Sequence, residues 1–164
     1  VRKTATDILL QSFPVREYIE GVISLLYLDD NAGARNSAID LLIAAGRDAI
    51  PFLIDAFATS NHDVRKFIID VIGEISDQRA LPLLLGALKD EDENVKASAV
   101  EHLGRLKEPS VVDALIEILQ GDDLWTAYPA ADALGKICDR RAIPALFKAL
   151  ENKTLREPAL RALA

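Results

Sequence analysis

Few side chains in this 164-residue chain could do chemistry, and they do not converge. There are two histidines, His62 and His102, and one cysteine, Cys138. A closed zinc site needs about four Cys or His ligands, and no Cys-x-x-Cys pair occurs. A Cys–His nucleophile needs the two side chains close in space. His102 lies 36 residues before Cys138 and is expected mid-helix on an exposed face. Cys138 is expected to be a partly buried, inert thiol at a helix end. Asp90-Glu91-Asp92-Glu93-Asn94 forms an acidic turn, but it lacks the glycine and the roughly 12-residue spacing of a calcium loop. No glycine-rich phosphate loop and no nucleophile elbow is present. The expectation is a non-enzyme with no catalytic residue, no metal site and no cofactor.

What could bind is easier to find. Trp125 and Tyr128 stand three apart on one helix face, at positions that are small or polar elsewhere in the chain. Trp and Tyr are typical interface anchors. The alternative is that Trp125 packs on a helix start reshaped by Asp122, Asp123 and Pro129. Arg65, Arg79 and Arg141 each have an aspartate nearby (Asp63, Asp77 and Asp139), which reads as a ladder of charges tying turns to helices. Pairs of this kind are individually weak when exposed.

The elements that position these residues follow from an internal repeat. Pro51, Pro82 and Pro144 fall 31 and 62 residues apart, and Asp113 occupies the one empty slot. Gly73, Gly104 and Gly135 share the 31-residue period, each within a Leu/Ile-Gly-x-Ile/Leu segment. These glycines are expected to allow close helix approach. Each unit reads as two helices. In the first, Val64, Ile68, Ile69, Ile72 and Ile75 mark one apolar face. In the second, Leu81, Leu84, Leu85 and Leu88 do the same, with Pro82 near the start, where its missing N–H costs little. Pro129 and Pro158 are expected to bend first helices. No strand is needed.

The expected organisation is a single array over residues 1–164. A divergent unit spans about 1–28, in which Val1-Arg2-Lys3 echoes Val64-Arg65-Lys66. Units then follow at about 30–60, 61–91, 92–121 and 122–152, with a partial unit at 153–164. Such units bury their apolar faces only by stacking. The chain starts at Val1, contains no Met and stops within a helical pattern, so a fragment of a longer protein is expected.

The segments Asp63-Val64-Arg65, Ile72-Gly73-Glu74-Ile75 and Asp77-x-Arg79-Ala80-Leu81-Pro82 resemble the HEAT repeat, and more narrowly its phycobilisome-lyase-type variant. Leu134-Gly135-Lys136-Ile137 and Asp139-Arg140-Arg141-Ala142-Ile143-Pro144 repeat the pattern. The resemblance implies an all-α, right-handed superhelix (an α-solenoid) whose second helices line a concave binding face. Relatives of this type include scaffolds, regulatory modules and some chromophore lyases.

Counting from the proline slot, positions −3, +1, +4 and +8 of each second helix form a stripe opposite the core. It carries Asp48, Phe52, Asp55 and Thr59, then Arg79, Leu83, Gly86 and Asp90. Ser110, Ala114, Glu117 and Gly121 follow, then Arg141, Ala145, Lys148 and Asn152. The stripe reads either as a solvated face or as a groove suited to a protein or peptide segment. The partner-binding candidates are Phe52, Asp55, Arg79, Leu83, Glu117, Trp125, Tyr128, Arg141 and Lys148.

Charge narrows the partners. The net charge is −7 and the pI about 4.8, which disfavours nucleic acid and anionic membrane. No apolar run approaches the roughly 18 residues of a membrane span. A single cysteine suits a reducing compartment. The expected protein is therefore a cytoplasmic, non-catalytic protein-interaction scaffold, and the resemblance to the phycobilisome-lyase-type repeat implies a bacterial one. A subunit of a bilin lyase or isomerase is the alternative, and nucleic-acid binding is the least favoured. Oligomeric state stays open.

Overall fold

A helix needs its first backbone N–H groups satisfied, and this chain does so with one device used repeatedly. A computed structural model describes residues 2–164, with side chains from residue 6. Asn31, Asn61, Asp92 and Asp123 are N-caps of successive long helices, each accepting from a backbone N–H two or three residues ahead. The far ends are equally regular. Ser76, Lys107 and Cys138 adopt the left-handed conformation, with φ of 53°, 53° and 57°, and end their helices there. Gly46 ends the earlier helix with a positive φ of 63° but with ψ of −137°, outside the left-handed helical region.

Every regular element among the described residues is helical, which makes this an all-α solenoid. Packing divides the chain into two compact units, Val1–Ala80 and Leu81–Ala164. The first unit holds α1 (Arg2–Ser12), α2 (Ile19–Ser24), α3 (Ala32–Ala45), α4 (Ile50–Ala56) and α5 (His62–Ile75). In it α3 packs beside α5, and α2 beside α4. Ile19, Leu42, Ile50 and Leu53 are fully buried in it. The side chains of Val1-Arg2-Lys3, whose echo of a first helix is noted above, lie outside the described residues.

The second unit holds α6 (Leu81–Ala87), α7 (Glu93–Leu106), α8 (Val112–Gln120), α9 (Leu124–Ile137), α10 (Ile143–Ala149) and α11 (Arg156–Leu163). First helices α7, α9 and α11 stack in series, while α8 packs against both α9 and α10. Leu103, Leu115 and Leu134 are fully buried. Pro51 and Pro144 sit in the first turns of α4 and α10, where the lost N–H had no helical partner anyway.

The glycine expectation has a direct geometric counterpart in this unit. A Cβ built on Gly104 would lie 2.6 Å from the Cβ of Ala133 and 2.7 Å from its Cα. One on Gly135 would lie 2.8 Å from the Cα of Ala162. Only a hydrogen at these positions lets the first helices touch backbone to side-chain stub. Gly73 is buried in α5.

Two sequence expectations need correction. His102 is not on an exposed face: it is 5% exposed within α7. Residue type alone suggested a surface position, but α7 is packed against α6 and α9 within this unit. Cys138 is not partly buried but exposed, because it is the cap residue that leaves the helix.

Candidate functional site

The turns before the second helices are built around arginine. Asp77 accepts from the backbone N–H of Arg79 at 3.0 Å and from the Arg79 guanidinium at 2.9 and 3.0 Å. Arg79 also donates to the carbonyl of Arg47, one repeat earlier, at 3.3 Å. These bonds hold the Asp77 carboxyl well below its ordinary range, at about 2; the Arg79 side-chain hydrogen bonds are the main cause.

Arg141 repeats the device with more partners. It donates to Asp139 at 3.1 and 2.8 Å, to the Pro109 carbonyl at 2.5 Å and to Asp113 at 3.0 Å. Its hydrogen bonds likewise depress the Asp139 carboxyl. Asp113 is the residue that breaks the proline column, and here its carboxylate has a use that proline could not serve. The expected charge ladder is thus two guanidinium clamps, each spanning successive turns.

A second arginine column escaped the sequence reading. Arg35 donates to the Leu28 carbonyl at 3.0 Å, Arg65 to that of Thr59 at 2.9 Å and Arg156 to that of Leu150 at 3.0 Å. Arg35 and Arg65 lie four residues past the N-caps Asn31 and Asn61, Arg156 lies four past Asn152, and each reaches back to the chain leaving the preceding second helix. Arg65 is nearly buried in doing so. A strict 31-residue count hides this column, because the spacing of the caps varies from unit to unit.

The partner-binding candidates fall into three environments. Asp55, Glu117 and Lys148 are exposed on α4, α8 and α10, while Phe52 and Leu83 are half-buried. Phe52 and Asp55 line a shallow cleft of about 230 Å3 with Glu20, Ile23 and Ala56. Lys148 lines a cleft of about 140 Å3 between the ends of α8 and α10. Arg79 and Arg141 are exposed but already engaged by their own aspartates. Ala145, placed in the exposed stripe by the period, is buried against its neighbours.

The aromatic pair separates. The Tyr128 hydroxyl accepts from Arg161 at 3.0 Å, and the same guanidinium lies 5.9 Å from the ring centroid and 3.1 Å from Asp132. Tyr128 therefore ties α9 to α11. Trp125 is 60% exposed, beside Leu124 at 42%. Asp123, expected to reshape this helix start, is an ordinary N-cap in register with Asn61 and Asp92. It bonds the Trp125 N–H at 2.9 Å and the Thr126 hydroxyl at 2.8 Å. The latter bond is the main reason its carboxyl titrates low.

Sequence reasoning missed the exposed apolar residues Leu124, Ile143 and Phe147. Ile143 and Phe147 stand in columns that read as core; Val112, in the column of Ile143, is fully buried. They line an open cleft of about 370 Å3 with Cys138, Leu163 and Ala164.

Capped helix pairs with turn-to-turn arginine clamps define a class, the α-solenoid repeat proteins. More narrowly, the chain belongs to the HEAT-repeat family: the family's HEAT repeats profile matches residues 19–92, 50–127 and 85–164. No curated protein matches the sequence significantly.

Among solved structures, the complex of CpcE and CpcF of phycocyanin lyase from Nostoc sp. PCC7120 has a chain that superposes with a TM-score of 0.80 at 22% identity. The match covers 91% of this chain and 99% of that one. Human deoxyhypusine hydroxylase superposes with a TM-score of 0.66 at 20% identity, covering 94% of this chain and 64% of the enzyme. These likenesses establish the fold. No described helix is long and apolar enough to cross a membrane.

Proposed function

We propose that this HEAT-repeat chain is a scaffold that binds a protein or peptide segment on the exposed faces of its second helices, without catalysis of its own. The carrying observation is the pair of arginine clamps. Arg141 joins the turns before α8 and α10, so Glu117 and Lys148 ride on helices of fixed spacing. Arg79 ties its own turn to that of Arg47, and so steadies the start of α4, which carries Phe52 and Asp55. Side chains pre-organised in this way within each unit lose little entropy when a partner docks. The phycocyanin lyase relative is itself a complex of two proteins, which supports a protein partner here.

The test replaces Asp55 and Glu117 by Lys and Lys148 by Glu, then compares partners captured from lysate by mass spectrometry. Loss of the wild-type partners is expected. An unchanged set would exclude this face.

A second reading, a subunit of a bilin lyase, is favoured by the 0.80 TM-score over nearly all of the lyase chain. Titration with a free phycobilin checks it: a saturable shift of the bilin absorbance band supports this reading, and an unshifted band excludes it.

A further inference from the structure

Leu124 and Trp125 give the tip of α9 an exposed apolar surface. Counted from the N-caps, and from Asn152 before α11, the place of Trp125 is held by Gly33, Asp63, Asn94 and Thr154 in other units. Asn94 and Thr154 give their backbone N–H to a side-chain oxygen two residues back as Trp125 does, at 2.9 Å in all three cases. The indole is therefore not needed to start the helix. At 60% exposure it is not needed to fill the core either. Leu124 adds a second exposed apolar side chain next to it.

Charge selects the occupant. First helices α7 and α9 pack side by side, so the turns that precede them share one edge of this unit. Lys96 of α7 acts through space on the Asp123 carboxyl, which places the two turns within electrostatic reach. Residues 89–96 and 122–125 carry six carboxylates against Lys89 and Lys96. Asp92 and Asp123 are engaged as caps, while Glu91, Glu93 and Asp122 are exposed. Ala127 stands where Arg35, Arg65 and Arg156 provide their guanidinium, so this turn lacks that cation. Among the described residues, cations stack on Phe67 and on Tyr128 and none on Trp125. On the opposite side Lys153 precedes α11, so the acidic character points towards α7.

We propose that Leu124 and Trp125, flanked by Glu93 and Asp122, form a docking point for a cationic segment of a partner protein. A lysine or arginine of that segment stacks on the indole, and its neighbours pair with the carboxylates. An indole face is the strongest of the aromatic cation sites. Exposed charges of the opposite sign steer such a segment and are screened by salt.

The chain's only tryptophan reports on its own site. The experiment titrates the full chain with a roughly ten-residue peptide alternating Lys or Arg with Gly and Ser, and follows Trp emission at about 50 and about 300 mM salt. A saturable emission change that weakens several-fold at the higher salt is expected. A Glu-for-Lys peptide of the same length is expected to give none. By calorimetry, Trp125→Ala should weaken binding roughly five- to tenfold, with Trp125→Phe recovering part of it. Glu93→Lys with Asp122→Lys should abolish the emission change while circular dichroism stays unchanged.

The proposal fails if the cationic peptide gives no saturable change, if Trp125→Ala binds it as tightly as wild type, or if the acidic peptide binds equally. Variants at Glu117 and Lys148 should leave peptide binding intact. Loss of binding in them would also overturn this docking point, which is separate from the second-helix face.

Discussion

The two units space their first helices by different means. In the second unit, Gly104 and Gly135 stand 12 residues past the caps Asp92 and Asp123, and each meets an alanine of the next first helix. The same count from Asn31 reaches Ile43 in the first unit, and Val71, ten past Asn61, is the counterpart of Ala133. There α3 and α5 are bridged by larger groups, including the Arg35 guanidinium, 5.0 Å from the Phe67 ring centroid. A repeat thus tolerates two fillings of one interface, small on small or large on large, because a packed interior constrains volume rather than identity. The clamps differ too. Arg141 has a second carboxylate in Asp113, while the position that stands in the same relation to Arg79 holds Pro51.

The sharpest way to break this comparison is to swap the fillings. Gly104→Val should cost roughly 3 kcal/mol or more, since its Cβ meets backbone atoms that cannot turn aside. Ile43→Ala in the first unit should cost about 1–2 kcal/mol, as expected for a half-buried side chain. Chemical denaturation measures both. If Gly104→Val costs no more than Ile43→Ala, the close glycine contact is not what spaces α7 from α9.

A smaller effect separates the clamps by pH. The Asp77 carboxyl is lowered in the fold, from 3.8 to about 2. Its contribution is therefore fully present above pH 3.8 and is lost as pH falls through about 2. The difference in Tm between wild type and Asp77→Asn should be constant at neutral pH and shrink across that window. A difference that persists unchanged to pH 2 would mean that Arg79 does not stabilise the ionised form.

The smallest effect expected is that of Asp113→Pro, which restores the proline column and removes one exposed partner of Arg141. Its change in Tm should be less than that of Arg141→Ala, because Asp139 and the Pro109 carbonyl remain. Equal losses would make Asp113 the main anchor of the clamp.

Much of the fold was legible because it rests on local rules. Pro51, Pro82 and Pro144 near helix starts, and glycines inside a 31-residue period, announce helix pairs without any tertiary information. Asp77-x-Arg79 and Asp139-x-Arg141 announce their turns for the same reason. The candidate site was less legible. Tyr128 looked like a partner for Trp125, but Arg161, 33 residues ahead, engages it across two helices. His102 looked exposed because polarity was taken as a guide to surface.

The sequence by itself determined the period, the helices and their caps, since these depend on residues within a few positions of one another. Only the tertiary structure decided which members of a column meet a neighbour. Ala145 is buried, Cys138 and Phe147 are exposed, and Trp125 stands free on the edge of α9. Exposure is set by what packs alongside, and the side chains that pack alongside lie about one repeat away.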